Sequence, residues 1–191
     1  MIIEPDRTIA PSIQPFPALE MPSLRILHLD NGIPLYVLDQ GDNEVCRISV
    51  VRDGGTAESV RPVVATLMAE MLCEGTRGMS GAELTDCLEF NGAWFNGISH
   101  RHHTAAVMYA LNRTFGDVMP LLLSMATEAN FPEERFLALR EKAVSNASVR
   151  ARQVKSRSLE IIRRMIYGPE HPYSKTDSSA DIASVSVDDL R

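Results

Sequence analysis

The stretch 61–76 constrains this chain most. Val63, Val64, Leu67, Met68, Met71 and Leu72 recur there at three- and four-residue intervals, which places them along one side of a helix. Pro62 stands where a first helical turn tolerates a missing amide donor, and Gly75 stands just past the end. The spacing therefore predicts a buried helix.

Strand signals precede it. The runs 25–29 and 34–38 flank Asp30-Asn31-Gly32, and Asn-Gly between two β-rich runs predicts a hairpin. A third run, 45–51, stops at Asp53-Gly54-Gly55, which reads as a turn because it lacks the rest of a phosphate-binding loop. Ser80 with Glu83 predicts a capping box opening a second helix, with Leu84, Cys87 and Leu88 inward and Gly92 in the left-handed position at its end. Residues 93–99 and 102–111 read as a second hairpin. A helix over 114–129, apolar at Val118, Leu121, Leu122 and Met125, precedes a long helical region from Glu133 to about Ile166. Ser186 and Asp189 form a capping box that starts one last turn.

The order of several phrases resembles the pitrilysin/insulinase family of zinc metallopeptidases, the inverzincins. The tail Met71-Leu72-Cys73-Glu74-Gly75-Thr76 matches the end of that family's zinc helix. Gly92-Ala93, Asn96, Arg101 and Thr104 match its hairpin, and Phe131-Pro132-Glu133-Glu134 and 167–173 match two further phrases. The family's His-x-x-Glu-His falls here on Thr66 (first His), Ala69 (Glu) and Glu70 (second His). Its distal Glu belongs to a phrase that reads here as 140–148, with Asn146 and Ala147 where the acidic pair would stand. A zinc site of this kind needs two imidazoles one turn apart, a third ligand and a carboxylate base. A lone Glu70 does not supply them. It reads as a solvated or arginine-paired carboxylate; the sharper reading is a cleft carboxylate for a basic group on a peptide.

Other candidates are weaker. On a strand, His100 and His102 would share a face with His103 opposite, a pair that suggests metal, but no third ligand stands nearby in the sequence. Solvent-facing polar residues are the better account. His28 is isolated, and His171, before Pro172, reads as a turn residue. The basic run Arg150, Arg152, Lys155, Arg157, Arg163, Arg164 reads as a solvated helical face or a docking face for an acidic partner. A net charge of -6 and the lack of interleaved aromatics argue against nucleic acid. Three widely spaced cysteines read as buried thiols, not a disulfide frame or zinc cluster.

The resemblance implies an α+β, pitrilysin-like metallopeptidase half: a mostly antiparallel sheet with helices packed on one face, over residues 23–191. A Pro-rich extended arm, 1–22, would precede it. The family's last strand is not found before Arg191, so the domain is read as truncated there or completed by another chain. The implied function is a non-catalytic domain that pairs with a catalytic pitrilysin-family domain or subunit, or with a second copy of itself, to enclose and bind peptides for proteolysis. No cofactor is expected in this domain; zinc is expected only in the catalytic partner. Two alternatives stand: a structural assembly subunit without peptide contact, and an active zinc metalloendopeptidase by kinship. Neither nucleic acid nor membrane is an expected partner. A cytoplasmic place is expected because 1–7 shows no secretory pattern; a periplasmic one would require a leader ahead of it.

Overall fold

The computed structural model describes Thr8, Ala10, Ile13 and residues 21–191. Most of the expected arm, 1–22, therefore lies outside the described residues. The chain divides into two compact units, residues 1–43 and 44–191, and the first hairpin belongs to the first of them.

In the first unit, β1 (Arg25–His28) pairs antiparallel with β2 (Pro34–Val37), with Leu27 opposite Leu35. The expected hairpin is present, but its loop spans residues 29–33 and only Gly32 of the Asn-Gly pair takes positive φ. Gly32 takes φ +83°, and Asn31 Oδ1 accepts a hydrogen bond from the Ile33 amide at 3.1 Å.

The second unit holds a three-stranded antiparallel sheet in the order β3 (Val45–Asp53), β5 (His103–Leu111), β4 (Trp94–Ser99). The central strand β5 is buried from Thr104 to Met108 and again at Ala110. Helices α1 (Pro62–Met71), α2 (Gly81–Phe90) and α3 (Phe115–Thr127) contribute to the same core. Leu72, Leu84, Leu88, Val118, Leu122 and Met125 pack with Ala106, Met108 and Ala110 of β5. Of the expected inward residues of α3, Val118, Leu122 and Met125 are fully buried. A second core joins α1 to α4 (Glu133–Arg152) and the carboxy-terminal turn, through Leu67, Met71, Phe136, Val185 and Leu190.

One close approach sets how α1 lies. Gly97 of β4 pairs with Ala106 of β5, so the two share the helix-covered face. A Cβ added at Gly97 would sit 1.8 Å from the carbonyl oxygen of Ala69. The backbone of α1 therefore rests directly on the strand, which only glycine allows there.

The helical region expected to run unbroken to about Ile166 is interrupted. Gln153 is extended (φ -84°, ψ 120°) between α4 and α5 (Val154–Tyr167). No Gly or Pro marks the break. Instead the Gln153 side-chain oxygen accepts from the Ser156 hydroxyl at 3.2 Å and its carbonyl accepts from the Arg157 amide at 3.1 Å, which starts α5 afresh. Gly168, at φ +88°, ends α5 before a short 3-10 turn, Pro172–Ser174, and α6 (Ser179–Ala183).

Three helical segments begin with the same device. The amides of Ser80, Ser178 and Ser186 donate to the carboxylates of Glu83, Asp181 and Asp189 at 2.8, 2.9 and 2.8 Å. Hydrogen bonds from those serines hold all three carboxyl groups below their ordinary range. A group whose pKa is depressed by folding adds stability above its unfolded pKa and loses it as pH falls through the folded one. The urea midpoint should therefore drop on acidification below about pH 4.5. In the triple variant E83Q/D181N/D189N that drop should be shallower; an equally steep drop would contradict this reading.

Candidate functional site

Helix α1 brings Thr66 and Glu70 one turn apart, and α4 brings Asn146 and Lys142 opposite them. Thr66, Glu70 and Asn146 line one cleft of about 670 Å³. Three of the four positions singled out from the sequence therefore meet. The fourth, Ala69, does not line it: the residue is buried, and its backbone lies against Gly97. The helical frame is fixed at its start by Asp177, whose carboxylate accepts the Val63 amide at 2.6 Å. Burial raises the pKa of Asp177, and the Val63 hydrogen bond works against that rise.

The donor set does not fit zinc, the metal that the resemblance associates with this place. Zinc takes imidazole, thiolate and carboxylate ligands. Here there is one carboxylate, Glu70, which is exposed; one amide, Asn146; and one hydroxyl, Thr66, which donates back to the Pro62 carbonyl at 3.4 Å. No proton-transfer step through a metal follows from these residues.

The rest of the lining mixes charged side chains with apolar ones such as Val63, Leu139 and Ile182. Lys142 and Arg150 come from α4, Arg157, Glu160 and Arg163 from α5, and Lys175 from the segment after the 3-10 turn. Arg157 is spent on Glu160 at 2.6 Å. The basic run of the sequence is thus split by the fold: Arg150, Arg157 and Arg163 face the cleft, and Arg152, Lys155 and Arg164 do not line it. Lys142 and Lys175 were not part of that run, and only the tertiary fold joins them to it.

The histidines are arranged differently from the strand reading. Residues 100–102 form the turn between β4 and β5, so strand alternation does not apply to them. The His100 ring lies tilted against that of His103, centroids 4.6 Å apart, and the His100 amide donates to the His103 carbonyl at 2.8 Å. His102 instead bridges Glu58 Oε1, at 2.8 Å from Nδ1, and the Tyr173 hydroxyl. The Glu58 carboxyl is lowered chiefly by the His102 hydrogen bond. This chain ties three segments distant in sequence, and Arg101 lies over the Tyr173 ring at 4.7 Å. Gly54, at φ +101°, and Gly55 form the expected turn beneath it; a Cβ at Gly55 would meet the His100 carbonyl at 2.3 Å. His171 is a turn residue as expected, accepting the Tyr173 amide on Nδ1 at 3.1 Å. All three cysteines are free and half-buried. Among the described residues no group of three or more His, Cys, Asp or Glu side chains is arranged for a metal ion. No helix among them is long and apolar enough to cross a membrane.

The fold is similar to that of a structure solved as a peptidase M16 inactive domain, which bears out the expected pitrilysin-like fold and α+β class. The crystal structure of the peptidase M16 inactive domain from Pseudomonas fluorescens superposes with a TM-score of 0.80 at 16% identity, over 87% of this chain and 42% of that one. A protease from Helicobacter pylori superposes with a TM-score of 0.73 at 16% identity, over 89% of this chain and 42% of that one. In sequence the chain is similar to mitochondrial cytochrome b-c1 complex subunit 1: 29% identical over 136 residues in Mus musculus and 28% over 137 residues in Homo sapiens. The match covers 68% of this chain and spans 28% of the length of those relatives. No protein-family model matches the chain.

Proposed function

We propose that this chain is a non-catalytic pitrilysin-like domain that pairs with a catalytic domain or subunit, or with a second copy of itself, and lends a peptide-binding wall to the enclosed space. The domain holds no zinc of its own in this reading; the metal belongs to the catalytic partner. The observation that carries the proposal is the open cleft at Thr66, Glu70 and Asn146, which presents charged side chains beside apolar ones. Thr66, Glu70 and Asn146 stand where the family resemblance places metal ligands, yet the concavity beside them stays open. A domain kept only as packing would gain by filling that volume.

A second reading has its own support. The curated relatives are named as subunits of the cytochrome b-c1 complex, which favours an assembly role without peptide contact. Peptide titration separates the two. Under the first reading the chain binds peptides at the cleft and leaves them uncut; under the second it binds none, and filling the cleft with T66L/N146L leaves assembly intact.

A further inference from the structure

We propose that the cleft selects peptides by their carboxylates, with Lys142, Arg150, Arg163 and Lys175 as the groups that receive them. The proposal rests on the peptide-binding reading above and names its ligand class. Four observations support it.

These four cations enter one concavity from three segments, and none of their side chains has a hydrogen-bond or ion-pair partner among the described residues. Of the remaining charges in the lining, one pair cancels. Arg157 and Glu160 hold each other, and Asp177 holds the Val63 amide. With Arg157 and Glu160 cancelling, Glu70 and Asp177 are the carboxylates of the lining that remain against these four cations, so positive charge is in excess there. The chain as a whole carries a net charge of -6, so the cleft has the sign opposite to that of the molecule.

A concave wall concentrates such a field, and an anion entering it meets an excess of positive charge. Guanidinium groups suit a carboxylate in particular, because their planar fork matches its two oxygens. Val63, Leu139 and Ile182 add apolar lining for the aliphatic part of a side chain. The volume, about 670 Å³, is that of a site for a few residues and not for a folded partner.

The test is calorimetric titration of the whole chain with four twelve-residue peptides of one framework. Three have blocked termini and carry Asp and Glu, Asn and Gln, or Lys at alternate positions; the fourth carries Asn and Gln with a free carboxy terminus. The acidic peptide should bind at least tenfold more tightly than its blocked amide counterpart at low salt, and the advantage should shrink as salt rises. R150Q/R163Q/K175Q should abolish the advantage of the acidic peptide over the amide one, with the melting temperature unchanged. Should that variant not fold, R150Q and K175Q, each at an exposed position, should each reduce it. A fourth peptide as strong as the acidic one also supports the proposal and assigns the carboxylate to the chain terminus. Equal binding of the acidic and amide peptides overturns charge selection and leaves the peptide-binding reading standing. Tightest binding of the Lys peptide overturns it in favour of Glu70. Binding of no peptide overturns both.

Discussion

Gly97→Ala is expected to lower the melting temperature by about 6–12 °C, from a loss of roughly 3 kcal/mol. The added Cβ would lie 1.8 Å from the Ala69 carbonyl oxygen and 2.7 Å from its carbon. Both are backbone atoms of α1, so no side chain can turn aside; the helix must lift off β4 or the strand must bend. Overpacking of this kind falls at the upper end of its usual cost because the obstacle is rigid. Lifting α1 would also move Thr66 and Glu70, so peptide affinity should fall with stability. Gly116→Ala is the matched control. It lies near the start of α3 with nothing within 4 Å of an added Cβ, and it should leave the melting temperature unchanged or raise it slightly. A Gly97→Ala melting temperature within about 2 °C of the parent would show that α1 does not rest on the strand as described.

Phe136→Ala should cost about 3–5 kcal/mol, the range for truncating a buried aromatic ring. Phe136 is 1% exposed and is the largest fully buried side chain among the described residues. It anchors the core made with Leu67, Met71, Val185 and Leu190, which joins α1, α4 and the carboxy-terminal turn. Arg140 lies 5.5 Å from its ring centroid and donates to the Val185 carbonyl at 2.8 Å, so the loss would also loosen that strap. The residual cavity sits where three segments meet and has little freedom to collapse. Phe136→Leu keeps most of the volume and should cost less than half as much, measured by urea unfolding. Equal costs for the two variants would argue against a packed ring at this place.

Local signals in the sequence carried most of the fold. The three-and-four spacing gave α1, Ser80 and Glu83 gave the start of α2, and Asn31-Gly32 gave the first hairpin, because each rests on contacts within a few residues. The same logic applies to Ser178 and Asp181, which open α6 with an identical box and were not picked out. The break at Gln153 was not legible: its cause is a side-chain hydrogen bond with Ser156 and not a Gly or Pro. The histidines were misassigned to alternating faces because strand alternation was applied to His100 and His102, which lie in the turn between β4 and β5.

The site was legible only where a helix places it. Thr66 and Glu70 share a face by spacing alone, and Asn146 joined them through the family phrase. Ala69 could be placed in the motif but not located against Gly97, since that contact depends on how a helix and a strand dock. The cations of the cleft were beyond reach for the same reason. Lys142 and Lys175 lie far apart along the chain, and no spacing rule connects them.

The account depends on a peptidase framework that keeps its cleft without its metal. The direct measurement is zinc content of the purified chain after exposure to excess zinc and removal of loosely held ions, with a peptide-hydrolysis assay on the same sample. The account predicts far less than one zinc per chain and no hydrolysis, with peptide binding retained in the presence of a chelator. One tightly held zinc per chain, together with hydrolysis that the chelator abolishes, would contradict it.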